Sequence, residues 1–139
     1  MDFEMMIKET LEYLQKNINN ECFAVALFTE KGNFYIDCCS AFSNCCEKTD
    51  DDYSIINKMI EAGDNRVLKL VGIFKQGEVR GISVPCFDFC QHIFDMNKEN
   101  AHTKLKISKE EISFVYHQEK GYIDIDNEEV TFNEFFGFA

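Results

Sequence analysis

This sequence predicts an α/β fold with helices layered on both faces of one mixed sheet, and three observations support that. Helical and strand-like apolar patterns follow one another in the order helix, two strands, helix, strand, helix, two strands, short helix. The run Phe23 to Thr29 is almost wholly apolar, and Val67 to Phe74 is a second stretch of the same kind. Such runs suit strands covered on both sides. The helical stretches each carry one apolar face, and setting them on the two faces of a single sheet buries every such surface.

The first element is an amphipathic helix from Phe3 to Lys16. Phe3, Met6, Ile7, Leu11 and Leu14 recur at helical spacing, and Asn17 to Asn20 ends it. Phe23 to Thr29 is the first strand. Glu30-Lys31-Gly32-Asn33 is a hairpin turn in which Gly32 is free to take positive φ, and Phe34 to Cys38 is the returning strand. Cys39 to Thr49 has no period and reads as loop. Tyr53 to Ala62 is the second helix, with Ile55, Ile56, Met59 and Ile60 as its apolar face and Gly63 as the residue after its end.

Val67 to Phe74 is the next strand, closed by Gln76-Gly77, with Val79 to Val84 extending it or pairing beside it. Pro85 suits the opening of a third helix, on which Cys86, Phe89, Cys90, Ile93 and Phe94 fall on one inward face. Asn97 to Thr103 is a polar loop. Ile112 to His117 and Tyr122 to Asp126 form a last pair of strands, and Val130 to Phe136 a short apolar helix. Right-handed crossovers would bring the starts of the second and third helices side by side, outside neighbouring strands.

Composition narrows the function classes. The chain has 139 residues, one domain's worth, with 14 Phe and no Trp. Its net charge of −11 repels phosphate backbones and anionic lipid, so nucleic-acid and membrane partners are disfavoured, while a small neutral ligand is not. No apolar run has the length to span a bilayer, and Met1 to Ile7 carries acidic residues where a secretory signal needs basic ones. The expected location is cytoplasmic. Seven cysteines, an odd number, argue against a disulfide framework and leave metal binding or buried thiols.

Three segments together carry a family resemblance. Phe23-Ala24-Val25-Ala26-Leu27-Phe28-Thr29-Glu30-Lys31-Gly32 resembles the opening strand and turn of the small, homotetrameric cytidine deaminases. Val84-Pro85-Cys86 with Gln91 resembles their second metal-binding helix, and Thr131-Phe132-Asn133-Glu134-Phe135-Phe136 resembles their closing helix. The similarity runs over nearly the whole length. It implies a three-layer α-β-α sandwich with a mixed five-stranded sheet and a homo-oligomer. It also implies a zinc ion whose hydroxide attacks C4 of a pyrimidine nucleoside.

In that family a Cys-Ala-Glu tripeptide opens the middle helix. The Cys binds zinc, the Glu moves protons, and two further cysteines come from the Pro-Cys segment. Counting back from Gly63 without a gap sets Asp50-Asp51-Asp52 on the tripeptide, so that Asp50 stands for the ligand and Asp52 for the proton shuttle. A second register sets Cys45-Cys46-Glu47 there instead, giving Cys45 or Cys46 with Cys86 and Cys90 as sulfur ligands and Glu47 as acid and base. Three residues separate Cys86 from Cys90 where the family has two, and Phe89 occupies the place of the second thiol. The family's sugar-binding Asn and Glu map to Cys39 and Ala41, which cannot replace them.

Plainer readings stand beside these. Cys86 and Cys90 suit a core as free thiols, and Asp50 to Asp52 suits the start of a helix. Cys38, Cys39, Cys45 and Cys46 suit a redox-sensitive loop, and His92, His102 and His117 have no ligand spacing. The expectation is a cytidine deaminase-like protein with degenerate zinc and nucleoside sites, a pseudoenzyme of regulatory or small-molecule-binding kind. The alternatives are a zinc-dependent deaminase of cytidine or deoxycytidine working through the shifted cysteines, and a cysteine-based redox sensor. The Phe-rich end, Phe132, Phe135, Phe136 and Phe138, is expected to pack on the core or on another subunit.

Overall fold

The computed structural model describes residues 1–16, 21–39, 54–76, 79–108, 113–117, 121–122 and 127–137. The helices are α1 (Phe3–Lys16), α2 (Ser54–Glu61), α3 (Phe87–Met96) and α4 (Phe132–Phe136), with a 3-10 turn at Lys98–His102. The strands are β1 (Glu21–Thr29), β2 (Phe34–Cys39), β3 (Val67–Gln76), β4 (Val79–Ile82), β5 (Lys104–Ser108), β6 (Ser113–His117), β7 (Gly121–Tyr122) and β8 (Asn127–Thr131). Among the described residues no helix is long and apolar enough to cross a membrane.

The strands form one branched, mostly antiparallel sheet. One path through it is β2-β1-β3-β5-β8, in which only the β3–β5 pairing is parallel. A branch leaves β3 through β4 to β6 and β7. β1 lies inside the sheet, antiparallel to β2 on one edge and to β3 on the other.

Side chains alternate across a strand, and β1 shows how this divides the core. Cys22, Ala24 and Ala26 pack with Phe3, Met6, Ile7, Leu11 and Leu14 of α1 on one face. Phe23, Val25 and Leu27 pack with Ile55, Ile56 and Met59 of α2 and Phe89, Cys90 and Ile93 of α3 on the other. The small residues of β1 let α1 lie close. Helices thus flank both faces of the sheet.

The turn residues act as their chemistry requires. Gly32 takes φ +86° in the β1–β2 turn, and Gly63 takes φ +67° after α2. The Gly63 amide donates to the Ile60 carbonyl and the Asp64 amide to that of Met59, which closes α2.

Two parts of the structure differ from the sequence expectation. The parallel neighbour of β3 is β5, at Lys69↔Lys104 and Leu70↔Leu105, a strand that apolar runs pass over. It alternates Lys104-Leu105-Lys106-Ile107, so only half of its residues are apolar. Leu105 joins the α2–α3 core, while the Lys106 ammonium lies 5.5 Å from the centroid of the Phe3 ring. Val79–Ile82 pairs beside β3 as expected, and Ser113–His117, from the expected Ile112–His117 strand, pairs with Gly121–Tyr122 on one side and with β4 on the other. Residues 123–126 of the expected last strand lie outside the described residues.

The second difference concerns the far edge of β3, which two strands share. β4 takes Ile73 to Gln76 and β5 takes Lys69 and Leu70. Between them the Ser83 amide donates to the Gly72 carbonyl at 3.0 Å. A Cβ on Gly72 would lie 2.4 Å from the Ser83 carbonyl oxygen and 2.5 Å from Cζ of Phe23. Only glycine lets the departing chain and the Phe23 ring approach together.

Candidate functional site

Residues 84–86 carry the chain from this fork to α3, and the structure resolves how its first turn is built. Pro85 is buried, and the helix begins two residues later than a proline start implies. Cys86 is the N-cap, with extended backbone at φ −61° and ψ 151°. Its Sγ accepts a hydrogen bond from the Phe89 amide at 3.5 Å, the place where a Ser or Asp oxygen usually sits. Cys86 is half-buried. It packs against the α2–α3 core.

Phe89 and Cys90 point inward. Phe89 is 5 % exposed and Cys90 is fully buried, both in the cluster that includes Leu70, Ile93 and Leu105. The Cys90 amide donates to the Cys86 carbonyl at 3.2 Å, and the Cys90 thiol makes a long contact of 3.9 Å to the Pro85 carbonyl. Burial pushes the Cys90 thiol well above its ordinary value, and charge on nearby Cys86 pushes it the same way. A thiol so placed is held protonated at neutral pH.

Of the residues that the sequence singles out, Cys86 and Cys90 are thus in one helical turn. Asp50, Asp52, Cys45, Cys46 and Glu47 lie outside the described residues, as does Ala41. Cys22, Cys86 and Cys90 form no disulfide. His92 is half-buried on α3 and His102 is exposed in the 3-10 turn. Among the described residues no three His, Cys, Asp or Glu side chains converge in a way that would hold a metal ion.

An aromatic cluster adjoins the start of α3. Thr131 caps α4 with a reciprocal box: its hydroxyl accepts from the Glu134 amide at 3.1 Å, and Glu134 Oε1 accepts from the Thr131 amide at 3.2 Å. The Phe132 amide donates to the Thr103 carbonyl at 2.9 Å, which fixes α4 to the 3-10 turn. Phe132 is then fully buried, and Phe136 stands edge-on to both Phe132 and Phe87, the first residue of α3.

Two buried polar centres escape sequence reasoning. Asn100 is fully buried; its amide donates to the carbonyls of Asn65 at 2.9 Å and Ile93 at 2.7 Å, and its oxygen accepts from the Val67 amide at 2.8 Å. It joins α3, the 3-10 turn and the start of β3. Asp64 is 2 % exposed, and its Oδ2 accepts from the Thr29 hydroxyl at 2.6 Å, the Asn33 amide at 3.0 Å and the Tyr35 phenol at 3.4 Å. It ties the β1–β2 hairpin to the end of α2. The only signal in the sequence is position: Asp64 follows the glycine that ends α2, and Asn100 lies in a polar stretch after α3.

No protein-family model matches this chain, and no curated protein matches it. The structure and the residues themselves therefore carry the functional argument.

Proposed function

We propose that this chain is a cytidine deaminase-like domain that has lost zinc-hydrolase chemistry and serves as a regulatory or small-molecule-binding homologue. The observation that carries the reading is the first turn of α3. The resemblance asks for two thiolates there. The chain offers Cys86, whose sulfur caps the helix, then Phe89 and Cys90, both packed into the core. Phe89 has no electron pair to give, and Cys90 is wholly enclosed in the apolar core. This donor set does not fit a thiolate-bound zinc.

The architecture supports the same reading. The path β2-β1-β3-β5-β8 has five strands and one parallel pair, with α1 packed on one face and α2 and α3 on the other. Helices on both faces of one mixed sheet support the layered α/β class to which a three-layer sandwich belongs. A homo-oligomer and a cytoplasmic setting belong to the proposal on the same ground.

The test is cytidine and deoxycytidine turnover, followed by ultraviolet absorbance with zinc added in excess. The expected result is a rate equal to that of a buffer blank. Turnover abolished by Glu47→Gln or Asp52→Asn would instead establish the enzyme reading and identify its proton shuttle. One observation favours that rival: Cys86 and Cys90 stand one helical turn apart, the Cys90 amide donating to the Cys86 carbonyl at 3.2 Å.

A further inference from the structure

An aromatic face lies beside the start of α3. Phe87 is 53 % exposed and Phe135 is 44 % exposed. Both stand edge-on to Phe136, at centroid distances of 5.8 and 4.8 Å, and Phe136 rests at 5.6 Å on buried Phe132. The exposed rings are therefore held from beneath, so covering them costs little further side-chain entropy. Neither α3 nor α4 contains a Lys or Arg. Their charged residues are Asp88, Asp95 and Glu134, all exposed.

We propose that this face docks a short amphipathic peptide segment with apolar side chains over Phe87 and Phe135 and Lys or Arg side chains toward Asp88 and Glu134. Size favours a segment over a folded partner. A Phe side chain contributes on the order of 200 Å², so the open parts of the two rings come to about 200 Å². A stable interface between folded proteins needs about 800 Å² from each partner. Two ring anchors in a small patch match the way one amphipathic helix seats in a groove. Charge favours a basic segment. A second copy seated on this face would set Asp88 and Glu134 against their own counterparts, which opposes self-association through this face. An ammonium or guanidinium gains both from the carboxylates and from the ring faces.

The test uses a fluorescein-labelled helical peptide of about 15 residues, with Leu at i and i+4 and Lys elsewhere, and a twin in which Glu replaces every Lys. Fluorescence anisotropy on the full chain should show saturable binding of the Lys peptide, and binding of the Glu twin weaker by about tenfold or more. Phe135→Ser should weaken the Lys peptide about tenfold. Asp88→Lys, at an exposed site, should weaken it severalfold with the circular dichroism spectrum unchanged, which keeps the test decisive if Phe135→Ser misfolds. Three results would overturn the proposal: no saturable binding, equal binding by the two peptides, or a dimer in sedimentation that Phe135→Ser dissolves. The last would mean that a second copy covers the face.

Discussion

Cys90 turns a packing fact into a pH dependence. Its folded value is raised, so between the ordinary thiol value of 9.0 and the higher folded value the unfolded chain loses a proton that the folded chain keeps. Stability is therefore unaffected by this group below about pH 9 and falls as pH rises above it. Tyr35 adds to the same trend from 10.0 upward, because burial and then the Asp64 carboxylate raise its phenol. Urea midpoints of Cys90→Val should decline less between pH 9 and 10 than those of the parent chain; identical declines would contradict the assignment. Asn100 is the other decisive residue. Asn100→Ala would strand two carbonyls and the Val67 amide, and at about 1–3 kcal/mol for each unsatisfied buried group it should cost about 3 kcal/mol in chemical denaturation. The inward direction of Phe89 and Cys90 is legible in the sequence, because helical spacing alone assigns it. The roles of Asn100 and Asp64 are not legible. A buried, fully bonded amide and a solvated one are the same letter, and only the tertiary contacts to Ile93, Val67 and Thr29 tell them apart.

The elements show where pattern succeeds and where it stops. α1, β1 and β3 are strongly apolar on at least one face, and their positions follow from that. β5 is half lysine, and its strand character depends on a neighbour already in place: Leu105 finds the α2–α3 core, and Lys69 and Lys106 flank the Phe3 ring at 5.8 and 5.5 Å. Burial of such a strand on one side only leaves a weak periodic signal. The last helix, expected from Val130, begins only at Phe132, because Val130 and Thr131 belong to β8 and Thr131 caps the helix in a box with Glu134. Thr131→Ala should remove the cap at a cost of about 1 kcal/mol, seen as a lower denaturation midpoint. The junction of β3, β4 and α3 is more demanding. Gly72→Ala would drive a methyl into the Ser83 carbonyl and the Phe23 ring, at a cost of about 3 kcal/mol. Adding Phe23→Leu should recover only part of the loss, because the backbone clash stays. Full recovery would place the whole strain on the ring.

At the scale of the molecule, one sheet with α1 on one face and α2 and α3 on the other accounts for nearly all of the apolar patterning. The layered fold was legible from that patterning because long-range order here follows from surfaces that must be covered. The branching of the sheet was not, since it arises where β4 and β5 share one edge of β3. The site was legible in part. Helical spacing puts Phe89 and Cys90 on the inward face of α3, and both are buried there. That Cys86 is a cap with extended backbone depends on how the chain leaves β4, which spacing cannot show. The claim on which the function rests is that this turn presents one sulfur at a helix cap and keeps the other as a core thiol. Zinc content of the chain purified without chelators, measured by plasma mass spectrometry, tests it most directly. The account predicts far less than one zinc per chain. A value near one, released only when Cys86 and Cys90 become open to alkylation, would contradict it.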